Sequence, residues 1–290
     1  MGHKEWIVGY GFITPVLIIF IVFLLYPIAY DLFLSFHRWN GLGPIQFIGT
    51  ANYARLSQDP NFINALKNTF IWIILTTIIP VTLGLAIATL SELARKRTTV
   101  FRAVIFAPMA ISATASGIIW TFMYDPDYGL INSLLKAIKL DSLARPWLGC
   151  PETALYAVIV AYVWVWTGFC MVVIHAGLKR IPASMLEAAR IDGANDWQMF
   201  KCILLPQLRS TLGVVALMTM VSSLKVFDLI YTMTAGGPFR SSEVLAFFMY
   251  IESFYHYKMG YGAAIALLLL TMVLIVSVPL IRLIRRMEEQ

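Results

Sequence analysis

The chain has 290 residues, of which 59% are apolar and only 13% are charged. A water-soluble domain carries about 25% charged residues, so this composition excludes an ordinary soluble enzyme, a disordered chain and a nucleic-acid-binding module. The net charge of +6 is typical of basic cytoplasmic loops in a membrane protein, and three cysteines are too few for a disulfide framework or a cysteine-rich zinc module.

Six segments are long and apolar enough to cross a membrane, since a spanning helix needs about 20 residues. Five of them contain no Asp, Glu, Lys or Arg, and the other contains Lys225 and Asp228 between strongly apolar flanks. Pro80 and Pro108 are expected to kink the second and third spans. The sequence therefore predicts an all-α integral membrane protein with six transmembrane helices. In chain order, the predicted spans are 6–30, 68–91, 103–124, 153–178, about 210–233 and 259–281.

The distribution of lysine and arginine predicts the orientation of these spans. With both termini inside, the inner segments hold 13 of these cations in about 62 residues, whereas the outer segments hold 8 in about 84. Because cations concentrate in cytoplasmic loops, both termini are predicted to be cytoplasmic. Within the outer loops, 61–67 and 130–140 are expected to form short interfacial helices. The inner cations are Lys4, Arg95, Lys96, Arg97, Arg102, Lys179, Arg180, Arg190, Lys201, Arg209, Arg282, Arg285 and Arg286.

The longest inner loop, between the fourth and fifth spans, predicts a helix, a turn and a second short helix. Pro182 suits a first helical turn, where its missing N–H would be unpaired anyway. Gly193 can adopt a positive φ and end the first helix, and Asn195 or Asp196 can cap the second. Pro206 is expected to end that second helix. On these grounds alone, the loop is either a docking surface for a partner or an elbow lying on lipid headgroups.

The same loop contains a motif with fixed spacing. Glu187-Ala188-Ala189 is followed after three residues by Gly193, and after nine more residues by Ile203, one residue and Leu205-Pro206. This pattern resembles the EAA motif of ABC-importer permeases. The resemblance implies a type I importer permease fold, in which residues 67–286 form the transmembrane core with a coupling loop at 180–208. Residues 1–66 would then supply the first helix and the first external loop.

In that family the loop docks into a cleft on a separate ATPase subunit. The resemblance implies that this chain is a transport subunit without its own ATPase site, placed in a bacterial or archaeal inner membrane. The implied partners are a second homologous permease, a dimer of ATPase subunits that holds ATP and magnesium, an extracytoplasmic solute-binding protein and membrane lipid, with no nucleic acid. The implied coupling residues are Glu187, Ala188, Ala189, Gly193, Ile203, Leu205 and Pro206.

Further stretches resemble the carbohydrate-uptake branch of the family, in particular the larger maltose permease subunit. They include Asp192-Gly193-Ala194 within the motif and Phe227-Asp228 followed by Thr234-Ala235-Gly236-Gly237-Pro238. The likeness covers residues 10–286, although the chain lacks the additional N-terminal helices and the large external insertion of the enterobacterial subunit. It implies a carbohydrate substrate. An anionic sugar-phosphate or glycerol-phosphate ester is the alternative, because Lys225 is the only Lys or Arg inside a predicted span.

Aromatic side chains in two spans are candidates for lining a sugar pathway, because aromatic faces stack on the apolar faces of sugar rings. Trp166 and Phe169 share a helix face by their spacing of three, and Phe227 and Tyr231 lie one turn apart. The alternative is an aromatic belt at the membrane surface.

A polar group in the fifth span is the other candidate for the pathway. Lys225 and Asp228 are three residues apart and are predicted to share a helix face, with Ser222 and Ser223 beside them. Charges inside a membrane usually face the bundle interior or a wet cavity. They either line the pathway or form a structural ion pair between helices.

Sites for other chemistry are not evident in the sequence. No G-x-x-x-x-G-K-[ST] phosphate loop occurs, and the four histidines are scattered without metal-ligand spacing. We therefore predict no cofactor, metal or catalytic residue in this chain. An intramembrane enzyme is the remote alternative, and it would need a polar catalytic cluster at one membrane face.

Overall fold

The computed structural model describes residues 3–93 and 99–288, and most of these residues are helical. Arg95, Lys96 and Arg97, which were counted among the inner cations, lie outside the described residues. The helices are α1 (His3–Phe20), α2 (Tyr26–Ser35), α3 (Ala51–Leu56), α4 (Pro60–Leu93), α5 (Thr99–Phe106), α6 (Ala113–Met123), α7 (Leu130–Ala137), α8 (Pro151–Leu178), α9 (Ala183–Ile191), α10 (Asp196–Met199), α11 (Leu205–Gln207), α12 (Arg209–Leu224), α13 (Asp228–Met233), α14 (Leu245–Tyr250) and α15 (Met259–Glu288).

Shorter elements join these helices. A two-residue hairpin pairs β1 (His37–Arg38) with β2 (Gln46–Phe47) in antiparallel register, with His37 opposite Phe47. The remaining short elements are the π-helical segments Ile21–Leu25, Phe200–Leu204 and Ile251–Tyr255 and the 3₁₀ turns Ala107–Ala110 and Asp141–Leu143.

Four continuous helical stretches in the described residues are long and apolar enough to cross a membrane. They are Phe12–Ser35, Pro60–Glu92, Pro151–Leu178 and Met259–Arg286, and they correspond to the first, second, fourth and last predicted spans. The predicted interfacial helix at 61–67 is the first part of α4, and Pro80 lies inside α4 without ending it. A separate helix at 130–140 is confirmed by α7.

The predicted third span is not one helix. The chain bends by 104° between the stretches Thr99–Ala110 and Ala113–Met123. Pro108 lies in the 3₁₀ turn after α5, Ile111 is extended, and Ser112 caps α6 by accepting a hydrogen bond from the Ala115 N–H at 3.2 Å. The kink expected at Pro108 is therefore a full break, because the proline and the new N-cap together end one helix and start another.

The predicted fifth span is also broken. Its helix α12 ends at Leu224, and α13 starts only at Asp228, after Phe227 leaves helical geometry at φ −134°. The prediction that Lys225 and Asp228 share one helix face is therefore wrong. Lys225 follows the end of α12, and Asp228 is the first residue of α13, where a carboxylate is favoured by the helix dipole.

The structure comprises two compact units, residues 1–63 with 248–271 and residues 64–247 with 272–290. Helix α8, in the second unit, is the most buried of the four long apolar stretches. It is apolar on all sides, as expected of a helix surrounded by protein. At Gly168, α8 approaches α5 so closely that an added Cβ would lie 2.7 Å from the Phe106 Cα.

Replacing Gly168 by alanine is expected to destabilise the second unit. Alanine is the better helix former, so a loss can arise only from the clash with α5, and overpacking of this kind costs about 1–3 kcal/mol. The measurement is the apparent melting temperature of the purified protein in detergent. Gly149→Ala is the matched control, because its new Cβ would lie 3.4 Å from the nearest atom. A melting temperature for Gly168→Ala at or above the wild-type value would contradict the close approach.

Candidate functional site

The predicted coupling segment, residues 180–208, contains a first helix that is closed by a hydrogen-bonded turn. Gly193 has φ +82°, and its N–H donates to the Arg190 carbonyl at 3.0 Å, while the Ala194 N–H donates to the Ala189 carbonyl at 2.9 Å. These two bonds are the Schellman pattern, which uses a left-handed glycine to satisfy the last carbonyls of a helix. Gly193 therefore ends α9, as predicted, whereas Pro182 is the N-cap residue and lies just before the first turn.

The second short helix starts at a reciprocal cap. Asn195 Oδ1 accepts from the Gln198 N–H at 2.8 Å, and Gln198 Oε1 accepts from the Asn195 N–H at 2.9 Å. This capping box makes Asn195, not Asp196, the cap residue. Pro206 lies within α11 and does not itself end a helix; the 67° bend toward α12 follows at Leu208.

One side of the coupling segment is anchored on α8. Leu204 and Leu208 are buried in the same apolar cluster as Ile174 and Leu178 of α8, and Leu186 of α9 packs against this cluster. Burial of a leucine side chain contributes about 1.5–3 kcal/mol. The segment is therefore held to the end of α8 by apolar contacts.

The other side of the coupling segment is exposed. Glu187, Ala188 and Gly193 lie open to solvent with Pro206, while Ala189, Ile203 and Leu205 are partly covered. Sequence reasoning missed two exposed apolar side chains, Ile191 at 86% and Trp197 at 68%. The signal was present in the sequence, since Ile191 lies two residues before the turn glycine and Trp197 lies two residues after the cap asparagine. Exposed large apolar side chains of this kind mark a contact surface.

Charged residues tie together the ends of α4, α5 and α8 that adjoin the coupling segment. Lys179 Nζ lies 2.9 Å from Glu92 Oε2, and Arg102 forms a hydrogen bond with the His175 ring. An exposed ion pair such as Lys179–Glu92 adds about 0–1 kcal/mol, so it contributes orientation more than stability.

Five of the predicted pathway residues come together around one cavity of about 260 Å³. The breaks in the third and fifth predicted spans both face this cavity, the first through Met109, Ile111 and Ala113. Sequence reasoning missed these three residues because it treated 103–124 as one helix. The predicted residues that line the cavity are Trp166, Ser222, Lys225, Phe227 and Asp228.

The other three predicted pathway residues are not part of this lining. Phe169 contacts the Trp166 ring edge-on at 5.4 Å between centroids, and Tyr231 stacks on Phe227 at 5.4 Å. Ser223 is fully buried, and its backbone carbonyl accepts a hydrogen bond from Trp72 Nε1 at 3.0 Å. Of the two serines expected beside Lys225 and Asp228, only Ser222 lines the cavity.

Aromatic rings line the cavity from helix α8 and from the break between α12 and α13. Tyr162, which was not predicted as a pathway residue, stacks on Trp166 at 5.6 Å with the rings 15° apart. Phe227, between α12 and α13, is part of a second stack with Tyr231 and Phe247. Stacked rings have little freedom to rotate, so these pairs offer fixed apolar faces beside the exposed Lys225 and Asp228.

The difference between the two serines predicts a difference in thiol reactivity. In a background without Cys150, Cys170 and Cys202, we expect Ser222→Cys to react with a methanethiosulfonate reagent at least about tenfold faster than Ser223→Cys, since buried thiols are inert. The measurement is the labelling rate in membranes. Equal rates would contradict the placement of the cavity wall.

Comparison with known proteins identifies the family. Residues 79–287 match the family "Binding-protein-dependent transport system inner membrane component". A probable ABC transporter permease protein of Pyrococcus horikoshii is 37% identical over 92% of this chain and 92% of its own. A trehalose/maltose transport system permease protein of Thermococcus litoralis is 32% identical, covering 97% of this chain and 94% of its own.

A solved structure shares the fold. In the crystal structure of a bacterial ABC transporter involved in import of the acidic polysaccharide alginate, one chain superimposes with a TM-score of 0.84 at 23% identity, covering 98% of this chain and 96% of that one. This likeness confirms the predicted permease fold. The predicted resemblance to ABC-importer permeases is also confirmed, and the chain belongs to the family of inner membrane components of binding-protein-dependent transport systems.

Proposed function

We propose that the chain forms half of the translocation pathway of an ATP-driven importer of a carbohydrate. The relative from Thermococcus litoralis is named for trehalose and maltose, and two stacked aromatic pairs flank the cavity in this chain. Rigid aromatic faces suit sugar rings, which present apolar C–H faces between their hydroxyls. The cavity lining contains Lys225 and Asp228, so its polar groups suit a hydroxylated ligand.

A neutral sugar is favoured over a phosphate ester by the charges of this lining. A path lined by an excess of cations would favour an anionic cargo. The lining carries one cation, Lys225, and one anion, Asp228, so the two formal charges cancel. The cargo we propose is therefore an uncharged saccharide.

The coupling segment is proposed as the docking surface for a separate ATPase subunit. Its exposed side carries Glu187, Ala188, Gly193 and Pro206, with Ala189, Ile203 and Leu205 completing the motif, while Leu204 and Leu208 pack on α8. This arrangement is the observation that carries the proposal: α8 is fixed to the segment at one end and supplies Trp166 to the cavity. A displacement of the segment would therefore be transmitted to the cavity wall along one helix.

The remaining parts of the importer are proposed to be other polypeptides. ATP and magnesium would be held by the ATPase dimer, since this chain carries no phosphate-loop motif. A second permease would supply the opposite wall of the pathway, and a solute-binding protein would deliver the sugar from outside. Closure of the ATPase dimer would pull on the segment and open the pathway outward, and hydrolysis would reset it.

The chain purified through a tag in mild detergent from its host is expected to bring a P-loop ATPase and a second six-span permease with it. Mass spectrometry of the purified complex identifies them, and uptake of labelled trehalose or maltose by vesicles then tests the cargo. Isolation of the chain as a stable homo-oligomer, free of any ATPase, would contradict the proposal. Uptake restricted to phosphate esters would contradict the neutral cargo alone.

The turn at Gly193 is expected to be required for coupling. An added Cβ would meet no atom within 4 Å, so only the φ of +82° constrains this position. Valine is strained in that conformation, whereas asparagine tolerates it. Gly193→Val should reach the membrane but lose at least about 90% of uptake. Gly193→Asp should show the same loss, because it adds a charge to the docking surface. Gly193→Asn should retain most of the wild-type uptake. Normal uptake by Gly193→Val would exclude the role proposed for the turn.

A further inference from the structure

A second pocket, in the first unit, has a lining quite unlike that of the pathway cavity. It has a volume of about 240 Å³ and lies where the hairpin β1–β2, helix α3 and the start of α15 meet. Its lining includes three cations, Arg38, Arg55 and Lys258, and no carboxylate, together with the amphipathic rings of Trp39 and Tyr257. Such a set of side chains attracts a small anion.

The pocket is held open by hydrogen bonds that do not involve the cations. Asn52 is buried, and its Nδ2 donates to the carbonyls of Ser35 at 2.8 Å and His37 at 3.1 Å. Tyr53 OH donates to Ser35 Oγ at 2.8 Å, and Trp39 Nε1 donates to the Gly43 carbonyl at 3.0 Å. These bonds join α3 and the hairpin to the end of α2, so the lining is ordered before any ligand arrives.

The three cations differ in how far their charge is already balanced. Lys258 Nζ donates to Glu252 Oε2 at 2.8 Å, and this contact helps to keep the pKa of the buried Glu252 carboxyl below its usual value even though burial alone would raise it. The Arg55 guanidinium lies 4.5 Å from the centre of the Tyr261 ring. Among the described residues, neither Arg38 nor Arg55 has a carboxylate within ion-pair distance. Two guanidinium groups therefore remain available.

The position of the pocket along the chain points to the membrane surface. Arg38 and Trp39 follow within four residues of the end of the apolar stretch Phe12–Ser35, and Lys258 directly precedes the stretch Met259–Arg286. Trp and Tyr concentrate at this level of a membrane protein, where phospholipid phosphates also lie. The side chains of Phe12–Ser35 are mostly exposed, leaving an apolar surface for acyl chains below the pocket.

We propose that this pocket binds the phosphate group of an anionic phospholipid, with Arg38 and Arg55 as its main ligands. One guanidinium group can bind two phosphate oxygens at once through two parallel hydrogen bonds. An ammonium group cannot reproduce this geometry. Lys258 adds positive charge at the rim while it stays paired with Glu252. The assignment is independent of the cargo and of the ATPase.

The test is to delipidate the purified protein, with whatever subunits accompany it, in neutral detergent and to count bound lipids by native mass spectrometry. We expect phosphatidylglycerol to bind more tightly than phosphatidylcholine, whose choline cation opposes the pocket. The double variant Arg38→Ala/Arg55→Ala should bind phosphatidylglycerol at least about tenfold more weakly. Arg38→Lys/Arg55→Lys should fall between the two, because it keeps the charge but loses the paired geometry.

Two controls separate the proposal from general effects. Lys67→Ala/Lys136→Ala removes the same charge from exposed positions elsewhere and should leave phosphatidylglycerol binding unchanged. Sodium phosphate is compared with sodium chloride at equal ionic strength, by the apparent melting temperature in the absence of lipid. A shift with inorganic phosphate that depends on the arginines, without a preference for phosphatidylglycerol, would overturn the lipid source and assign the pocket to free phosphate.

Equal phosphatidylglycerol binding by the wild type and the arginine-to-alanine variant, at matched melting temperatures, would overturn the proposal. If the same variant captured the solute-binding protein more weakly, the pocket would instead belong to a protein contact. Because lipid binding is measured without transport, failure here leaves the proposed transport function intact, and failure of the uptake experiment leaves the lipid assignment intact.

Discussion

The requirement that every buried backbone group find a hydrogen-bond partner governs this structure more than any other constraint. Inside a bilayer, only a continuous helix meets it without help, and interrupted helices survive where they face protein or a wet cavity. Both interruptions in the second unit, near Ile111 and near Val226, line the same cavity. Lys225 and Asp228, at the second break, therefore lie where a hydroxylated ligand or water can satisfy them. A broken helix would be unfavourable in lipid, but it is tolerated at this position because the break faces a cavity.

Helix α8 connects the two functional parts of the chain. Its close approach to α5 at Gly168 fixes the stretch that contributes Met109 and Ile111 to the cavity. Its far end shares an apolar cluster with Leu204 and Leu208 of the coupling region. Well-packed apolar contacts resist deformation, so α8 and the coupling segment are expected to move as one body. In our proposal, the chain transmits movement along α8 and carries out no chemical reaction itself.

Local signals in the sequence predicted the coupling segment well, because its ends are defined by residues a few positions apart. A left-handed glycine and a reciprocal asparagine–glutamine cap need no tertiary information, and both are present at Gly193 and Asn195. The apolar spans were also predictable from composition. The first predicted span ends at residue 30 because the next residue, Asp31, is charged. In the structure, helix α2 continues past Asp31 to Ser35.

The breaks in the helices could not be predicted in the same way. Pro108 signalled a kink, but the bend of 104° depends on Ser112 starting a new helix in a packed environment. Lys225 and Asp228 were recognised as unusual, yet their spacing of three suggested a shared face that only a continuous helix would provide. Ser222 and Ser223 likewise differ in burial, and Ser223, which is fully buried, lies where its backbone carbonyl accepts a hydrogen bond from Trp72. Contacts between residues that are far apart in the sequence cannot be predicted from a short stretch of residues.

The self-contained turn at the end of α9 has an evolutionary consequence. Its shape is set by hydrogen bonds among Ala189, Arg190, Gly193 and Ala194 and does not depend on the cavity residues. Substitutions in the cavity can therefore accumulate without changing the surface that, in our proposal, docks on the ATPase subunit. Under that proposal, permeases with different cargoes but the same turn could dock on the same ATPase subunit.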